Sequence, residues 1–305
     1  MTSTVGGAAA VENRADRLRK LDRAHVLHPH ATVGRAPEPV IIQSARGALL
    51  RDIDGREYID GTCGLWQCAV GHGRPELAEV AAKQMRELEF YASFWHFSNP
   101  PAIELAARLA EISPAGLDTV FFTNGGSEGN ETAVKLARLA WHAQDQPERT
   151  VILSRQGAYH GVGSASLAAT GLPAFQHGFG PLTPGFVHLS KPHGKRIGAD
   201  SVDVLIAELE QTIGDVGAER IAAFIGEPLL GVGGMVPPPP GYWERVQQVL
   251  RRHGILLIVD EIVTAFGRLG HWFGSEHYDI EPDIAVTAKG LSSGYVPMGA
   301  VLIGN

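Results

Sequence analysis

The sequence is defined first by what is scarce in it. It has no run of about twenty apolar residues, so nothing in it reads as a membrane-spanning helix. Residues 1–14 lack the basic start and apolar stretch of a signal peptide. Only two cysteines occur, Cys63 and Cys68, too few for a disulfide framework and at a spacing that fits no zinc site. Two buried, reduced thiols in a cytoplasmic protein are the expectation. No basic tract offsets the net charge of −7, which argues against nucleic acid and anionic membranes as partners. His28-Pro29-His30 has no carboxylate cluster after it and suits a turn, so no metal site is assigned. Neither a Walker A loop nor a G-x-G-x-x-G fingerprint is present, which disfavours a nicotinamide-binding dehydrogenase.

What is present is alternation. Residues 40–42 and 48–52 read as short strands, and Asp54-Gly55 as the turn of a hairpin between Leu50 and Tyr58, giving a small β-meander. Helices are expected from Pro75 to about Leu88 and from Ala102 to Ile112. From residue 120 apolar strands alternate with helices. Strands are expected at 120–122, 151–153, 186–189, 221–225, 255–259 and 284–286, with helices at 127–142, 202–213 and 242–253. Strands apolar on both faces and separated by helices imply a parallel sheet covered on both sides. Residues 1–15 read as a loose tail.

Three stretches carry chemistry. Thr123 to Glu131 holds Gly125-Gly126-Ser127 between a strand and a helix. Free N–H groups at a helix start and a serine hydroxyl suit an anion, although a plain tight turn needs the same glycines. Tyr159-His160-Gly161 follows a strand, where Tyr159 stacks on a flat ring or simply packs. Leu256 to Ile262 ends a strand in Asp260-Glu261. A strand-end carboxylate in an α/β sheet sits where ligands bind and needs a cationic partner. A magnesium-binding acid pair and a helix cap remain alternatives. Beyond these, Ile284-Ala285-Val286 leads to Lys289 before a Gly/Ser-rich loop, where a lysine can condense with an aldehyde. Taken together, a phosphate cradle, a ring sandwiched by Tyr159 and Ile262, Asp260 against a ring nitrogen and Lys289 on an aldehyde are the contacts pyridoxal phosphate requires.

Gly64-Leu65-Trp66, Asn124 to Glu128, Tyr159-His160-Gly161, Gly226-Glu227-Pro228, Asp260 to Arg268 and Ala288-Lys289-Gly290 resemble the class III (omega) aminotransferases, pyridoxal-phosphate enzymes of fold type I. The resemblance covers roughly residues 35 to 305. It implies a three-layer α/β/α fold with a mostly parallel sheet and a partial small domain. The expected division is 16–65 for the N-terminal part of that small domain and 66–305 for the cofactor-binding domain. It implies a homodimeric transaminase that moves an amino group from an amine or ω-amino acid to a keto acid such as pyruvate through a Lys289 Schiff base. Gly126 and Ser127 would then bind phosphate, Tyr159 and Ile262 the two faces of the ring, and Asp260 the ring nitrogen. Glu227 would support the site, and Trp66, Phe94 and Trp95 would wall the substrate. Those three aromatics match amine:pyruvate-type members, while the Phe90–Phe97 loop read alone is as well a core plug.

The chain ends at Asn305, and family members run on into a C-terminal small domain. The resemblance therefore implies a fragment, impaired on its own. A fold-type-I aminomutase, lyase or racemase would share the cofactor residues, and a non-catalytic remnant is the other alternative.

Overall fold

The computed structural model describes residues 13–31, 37–193 and 201–304. The expected tail lies outside the described residues except for its last three, of which Asn13 caps the helix Arg14–His25 by accepting from Asp16 N. No apolar stripe announces this helix, and none of its residues is buried. The chain divides into two compact units, Met1–Cys63 with Val70–Glu79, and Gly64–Ala69 with Val80–Asn305. No helix among the described residues is long and apolar enough to cross a membrane. Cys63 and Cys68 are free, and each is half-buried rather than fully enclosed as expected.

The smaller unit holds the meander. Strands β1 (Ile42–Arg46), β2 (Leu49–Asp52) and β3 (Glu57–Ile59) pair antiparallel in that order, with Leu50 opposite Tyr58. Asp52 fixes the turn: its carboxylate accepts from Asp54 N and Arg56 N, both at 2.9 Å, and from the Tyr58 hydroxyl at 2.7 Å.

The larger unit is built on seven strands: β4 (Thr119–Thr123), β5 (Val151–Arg155), β6 (Phe186–Leu189), β7 (Ile221–Gly226), β8 (Leu256–Asp260), β9 (Ile284–Thr287) and β10 (Gly299–Ile303). Their order is β4-β10-β9-β8-β7-β5-β6. The pairs from β9 to β6 are parallel, whereas β10 runs antiparallel to both β9 and β4. The sheet is mostly parallel, as expected, and β10 is its antiparallel member. Antiparallel pairing suits β10 because the Lys289–Met298 segment returns it alongside β9 without a crossover helix.

Side chains of the central strands divide between two cores, as the two-residue period allows. Leu153, Phe224, Leu257 and Val259 pack with the helices Ser201–Val216 and Tyr242–Arg252. Ile152, Ile225, Ile258, Val286 and Val301 pack with the helix Gly126–Ala143. Burial on both faces is what makes these strands continuously apolar. The result is a helix–sheet–helix sandwich, with every parallel strand delivering its carboxyl end to the same edge.

Candidate active site

A cavity of about 400 Å³ opens at that edge. Three sequence features converge on it. Strand β8 ends in Asp260 and the neighbouring β9 runs on to Ala288-Lys289, while β4 leads into the helix whose first residues are Gly126 and Ser127. Gly126, Ser127, Tyr159, Glu227, Asp260, Ile262 and Lys289 all line this one cavity.

The helix start is open. Gly125 offers no side-chain cap, and the first intrahelical bond is Gly129 N to Gly125 O, so the N–H groups before it face outward. Those groups and the positive end of the helix favour an anion. Ser127 Oγ accepts from Val162 N at 3.2 Å, which leaves the serine's own proton to donate. Two glycines are required by close approach. A Cβ on Gly126 would lie 2.4 Å from Ile262 Cδ1, and one on Gly161, at φ +134°, would lie 2.5 Å from Ser127 Oγ.

Across the cavity the groups are titratable and enclosed. Asp260 is only 3% exposed, and its carboxylate accepts from Asn130 Nδ2, His160 Nδ1 and Ile262 N. Glu227 accepts from Tyr159 N at 3.2 Å and Gly231 N at 2.8 Å, and burial, above all, raises its pKa. Burial likewise raises the Tyr159 phenol, helped by the charge of Asp260. The ring of Tyr159 is fixed edge-on by Phe175, with centroids 5.2 Å apart. Lys289 is held at φ 39°, a left-handed conformation that a lysine rarely adopts. Burial pushes its amine below the ordinary lysine value; Asp260 and Glu227 pull it up, and Arg268 pushes it down. A lowered amine is a better nucleophile near neutral pH.

Glu261, the other half of the acid pair, turns away from the cavity. It is fully buried and accepts from Gly274 N at 2.9 Å, from Ser275 N and Ser275 Oγ at 2.6 Å each, and from the Thr264 hydroxyl. Trp66, Phe94 and Trp95 are not on the cavity wall either. Phe94 and Trp95 lean on each other at 5.9 Å, and Trp95 is 86% exposed. Gln67, next to Trp66, is the residue of that segment that reaches the cavity.

Sequence reading missed Gln67 and Asn130 and gave His160 no task of its own. Asn130 carried a visible signal: it is the polar member of a helical stripe, Gly129, Asn130, Ala133, Val134, Ala137 and Trp141, that is otherwise small or apolar and entirely buried.

The donor set fits pyridoxal phosphate. An open helix start suits its phosphate, an aromatic and an aliphatic side chain its ring, a buried carboxylate a protonated ring nitrogen, and an amine of lowered pKa its aldehyde. The volume is that of a small-molecule site.

A profile of the family "Aminotransferase class-III" matches residues 31–305. The putrescine–pyruvate aminotransferase of Pseudomonas aeruginosa is 41% identical over 93% of this chain. A thermostable (S)-enantioselective omega-transaminase from Thermomicrobium roseum superposes over 97% of the chain, with a TM-score of 0.94 and 48% identity. An omega-transaminase from Pseudomonas jessenii, solved in complex with PMP, covers 94% with a TM-score of 0.92 and 42% identity. The chain spans 64%, 67% and 65% of these three proteins respectively, about two thirds of their length. Since the matched residues run from before the meander to the end of β10 and take in the whole cavity wall, this chain belongs to the class-III aminotransferases.

Proposed function

We propose that the protein is a pyridoxal-phosphate-dependent transaminase acting on an amine or ω-amino acid as donor and a keto acid such as pyruvate as acceptor. The observation that carries this is the placement of Asp260 and Lys289 at the carboxyl ends of adjacent parallel strands, on one cavity with the open helix start. The names of the relatives, a putrescine–pyruvate aminotransferase and two omega-transaminases, support the substrate class.

When bound, pyridoxal phosphate supplies an aldehyde that condenses with amines and a ring that takes up electrons. Gly126 and Ser127 hold its phosphate through N–H groups and the serine hydroxyl. Tyr159 and Ile262 confine the two faces of its ring. Asp260 would accept from the ring nitrogen and favour a proton there. Glu227 shapes the wall behind the ring through its bond to Tyr159 N. Lys289 would hold the aldehyde through Nζ, and the same amine, its pKa lowered by burial, would serve as the base that moves a proton.

We extend the proposal to a homodimer in a reducing compartment such as the cytoplasm. Phe90, Tyr91, Phe94, Trp95 and Phe97 are 49–86% exposed within one short segment, an apolar surface of the kind a second copy covers. Trp66, Phe94 and Trp95 as a substrate wall belong to that assembly.

The test uses the 305-residue chain with pyridoxal phosphate added and excess removed. A visible absorbance band that is lost in Lys289→Ala supports the cofactor assignment. Conversion of pyruvate to alanine at the expense of a terminal amine supports the transaminase. Consumption of the amine without any demand for a keto acid would point to a lyase or aminomutase instead.

A further inference from the structure

Asp260 is held by more than its place at the end of β8. Two side chains from distant parts of the chain donate to the same oxygen, Oδ2: Asn130 through Nδ2 and His160 through Nδ1, each at 2.8 Å. A carboxylate oxygen has two lone-pair directions, so Oδ2 is filled. Oδ1 takes a single donor, Ile262 N at 3.1 Å, and keeps one acceptor position. All three side chains are enclosed, with Asn130 0%, His160 1% and Asp260 3% exposed.

The orientations of both donors are forced. Asn130 Nδ2 also donates to His160 O at 2.7 Å, so a flipped amide would set its oxygen against two acceptors. The backbone of His160 is tied down by its own N–H donating to Thr170 Oγ1 at 2.9 Å. Its Nε2 is buried without a partner among the described residues, so a proton there would be a stranded donor. Asp260 can only accept, and the proton between the two groups therefore sits on His160 Nδ1.

We propose that Asn130 and His160 are positioning residues that saturate Oδ2 of Asp260, with His160 locked as its Nδ1–H tautomer, so that Oδ1 is the oxygen presented to a cationic ring nitrogen. The proposal rests on the cofactor reading given above. It assigns to Tyr159-His160-Gly161 a second task beyond stacking: the tyrosine confines the ring while the histidine behind it aims the carboxylate. Both side chains are buried and act on the ring only through Asp260.

The experiment compares the whole chain with His160→Leu, which removes the donor, and His160→Asn, which returns an N–H near the place of Nδ1. Dissociation constants are measured for pyridoxal phosphate and for its 1-deaza analogue, in which C–H replaces the ring nitrogen. The dissociation constant for pyridoxal phosphate should rise about tenfold or more in His160→Leu, the scale of one charge-assisted hydrogen bond, and about threefold or less in His160→Asn. The 1-deaza analogue should bind all three proteins within about threefold of one another. Equal losses for both ligands in His160→Leu would mean a packing role and overturn the proposal, as would no loss at all. Independently, nitrogen-15 spectra of histidine-labelled protein without cofactor should show His160 as the Nδ1–H tautomer, its signals identified by their loss in His160→Asn. The Nε2–H tautomer would overturn the proposal even if His160→Leu failed to fold. Failure of the unmodified chain to bind pyridoxal phosphate would sink the cofactor reading alone, with the tautomer still deciding how Asp260 is held.

Discussion

Glu261 offers a sharp test of how the loop after β8 is held. The perturbation is Glu261→Gln, which changes shape very little. In the structure one carboxylate oxygen accepts from Gly274 N and the Thr264 hydroxyl, and the other from Ser275 N and the Ser275 hydroxyl. The hydroxyls can turn to accept from an amide; the two backbone N–H groups cannot. Whichever way the glutamine lies, its NH2 faces one of them and strands a buried donor, which costs about 1–3 kcal/mol. The remaining bonds lose their charge-assisted part, roughly another 1 kcal/mol. The total is about 3 kcal/mol, a fall in Tm of about 5 °C for a chain of this size. Calorimetry on the cofactor-free chain reads this directly. Burial, above all, raises the pKa of the Glu261 carboxyl while its four donors pull it the other way, and the fixed backbone N–H on each oxygen favours the ionised form. A glutamine variant as stable as the parent would refute that: the carboxyl would already be neutral in the fold. Because Glu261 is off the cavity wall, the folded variant should still bind pyridoxal phosphate with the parent's affinity.

Four further outcomes follow from the same structure. The lowered pKa of Lys289 means that the unfolded chain holds its proton more tightly than the folded one. Stability should therefore rise with pH between the folded value and the ordinary value near 10.4, a slope absent from Lys289→Met. Asp260→Asn should move that window lower, since Asp260 pulls the amine up, and Arg268→Met should move it higher; chemical labelling of Lys289 across pH reads both. Gly161→Ala would place a methyl within 2.9 Å of Ser127 Cα at a φ that alanine resists, and should cost about 2 kcal/mol or more in urea unfolding. Phe94→Ser with Trp95→Ser should leave the stability of the single chain within about 0.5 kcal/mol while weakening self-association, as sedimentation velocity would show.

Much of the architecture was legible because burial on both faces writes itself into a strand as an unbroken apolar run. Residues 221–225, 255–259 and 284–286 were readable on that ground, and the structure places β7, β8 and β9 there within a residue or so. Strand direction was not legible, because Val301 and Leu302 are as apolar as a parallel strand would need to be; only the length of the return from Lys289 decides it. Lys289 and Asp260 stood out because a charged residue ending an apolar strand is conspicuous. Asn130 and His160 did not, since their meaning lies in contacts 130 and 100 residues away in the chain. Trp66, Phe94 and Trp95 show the opposite case: aromatic residues are informative about contact but silent about which surface they meet.

The antiparallel strand β10 has a consequence for how the cavity comes into being. Among the described residues β4 has β10 as its sole neighbour in the sheet, with Phe121 opposite Val301. The residues that begin the helix Gly126–Ala143 therefore follow a strand whose partner in the described sheet is among the last parts of the larger unit to be synthesised. Contacts so far apart in sequence form late and slowly. During that interval β4 presents an open edge of N–H and C=O groups with Val120 and Phe122 beside it, the kind of surface that invites association with other chains. On this view β10 acts as a latch: the two halves of the cavity wall, one made early and one late, come into register when it closes.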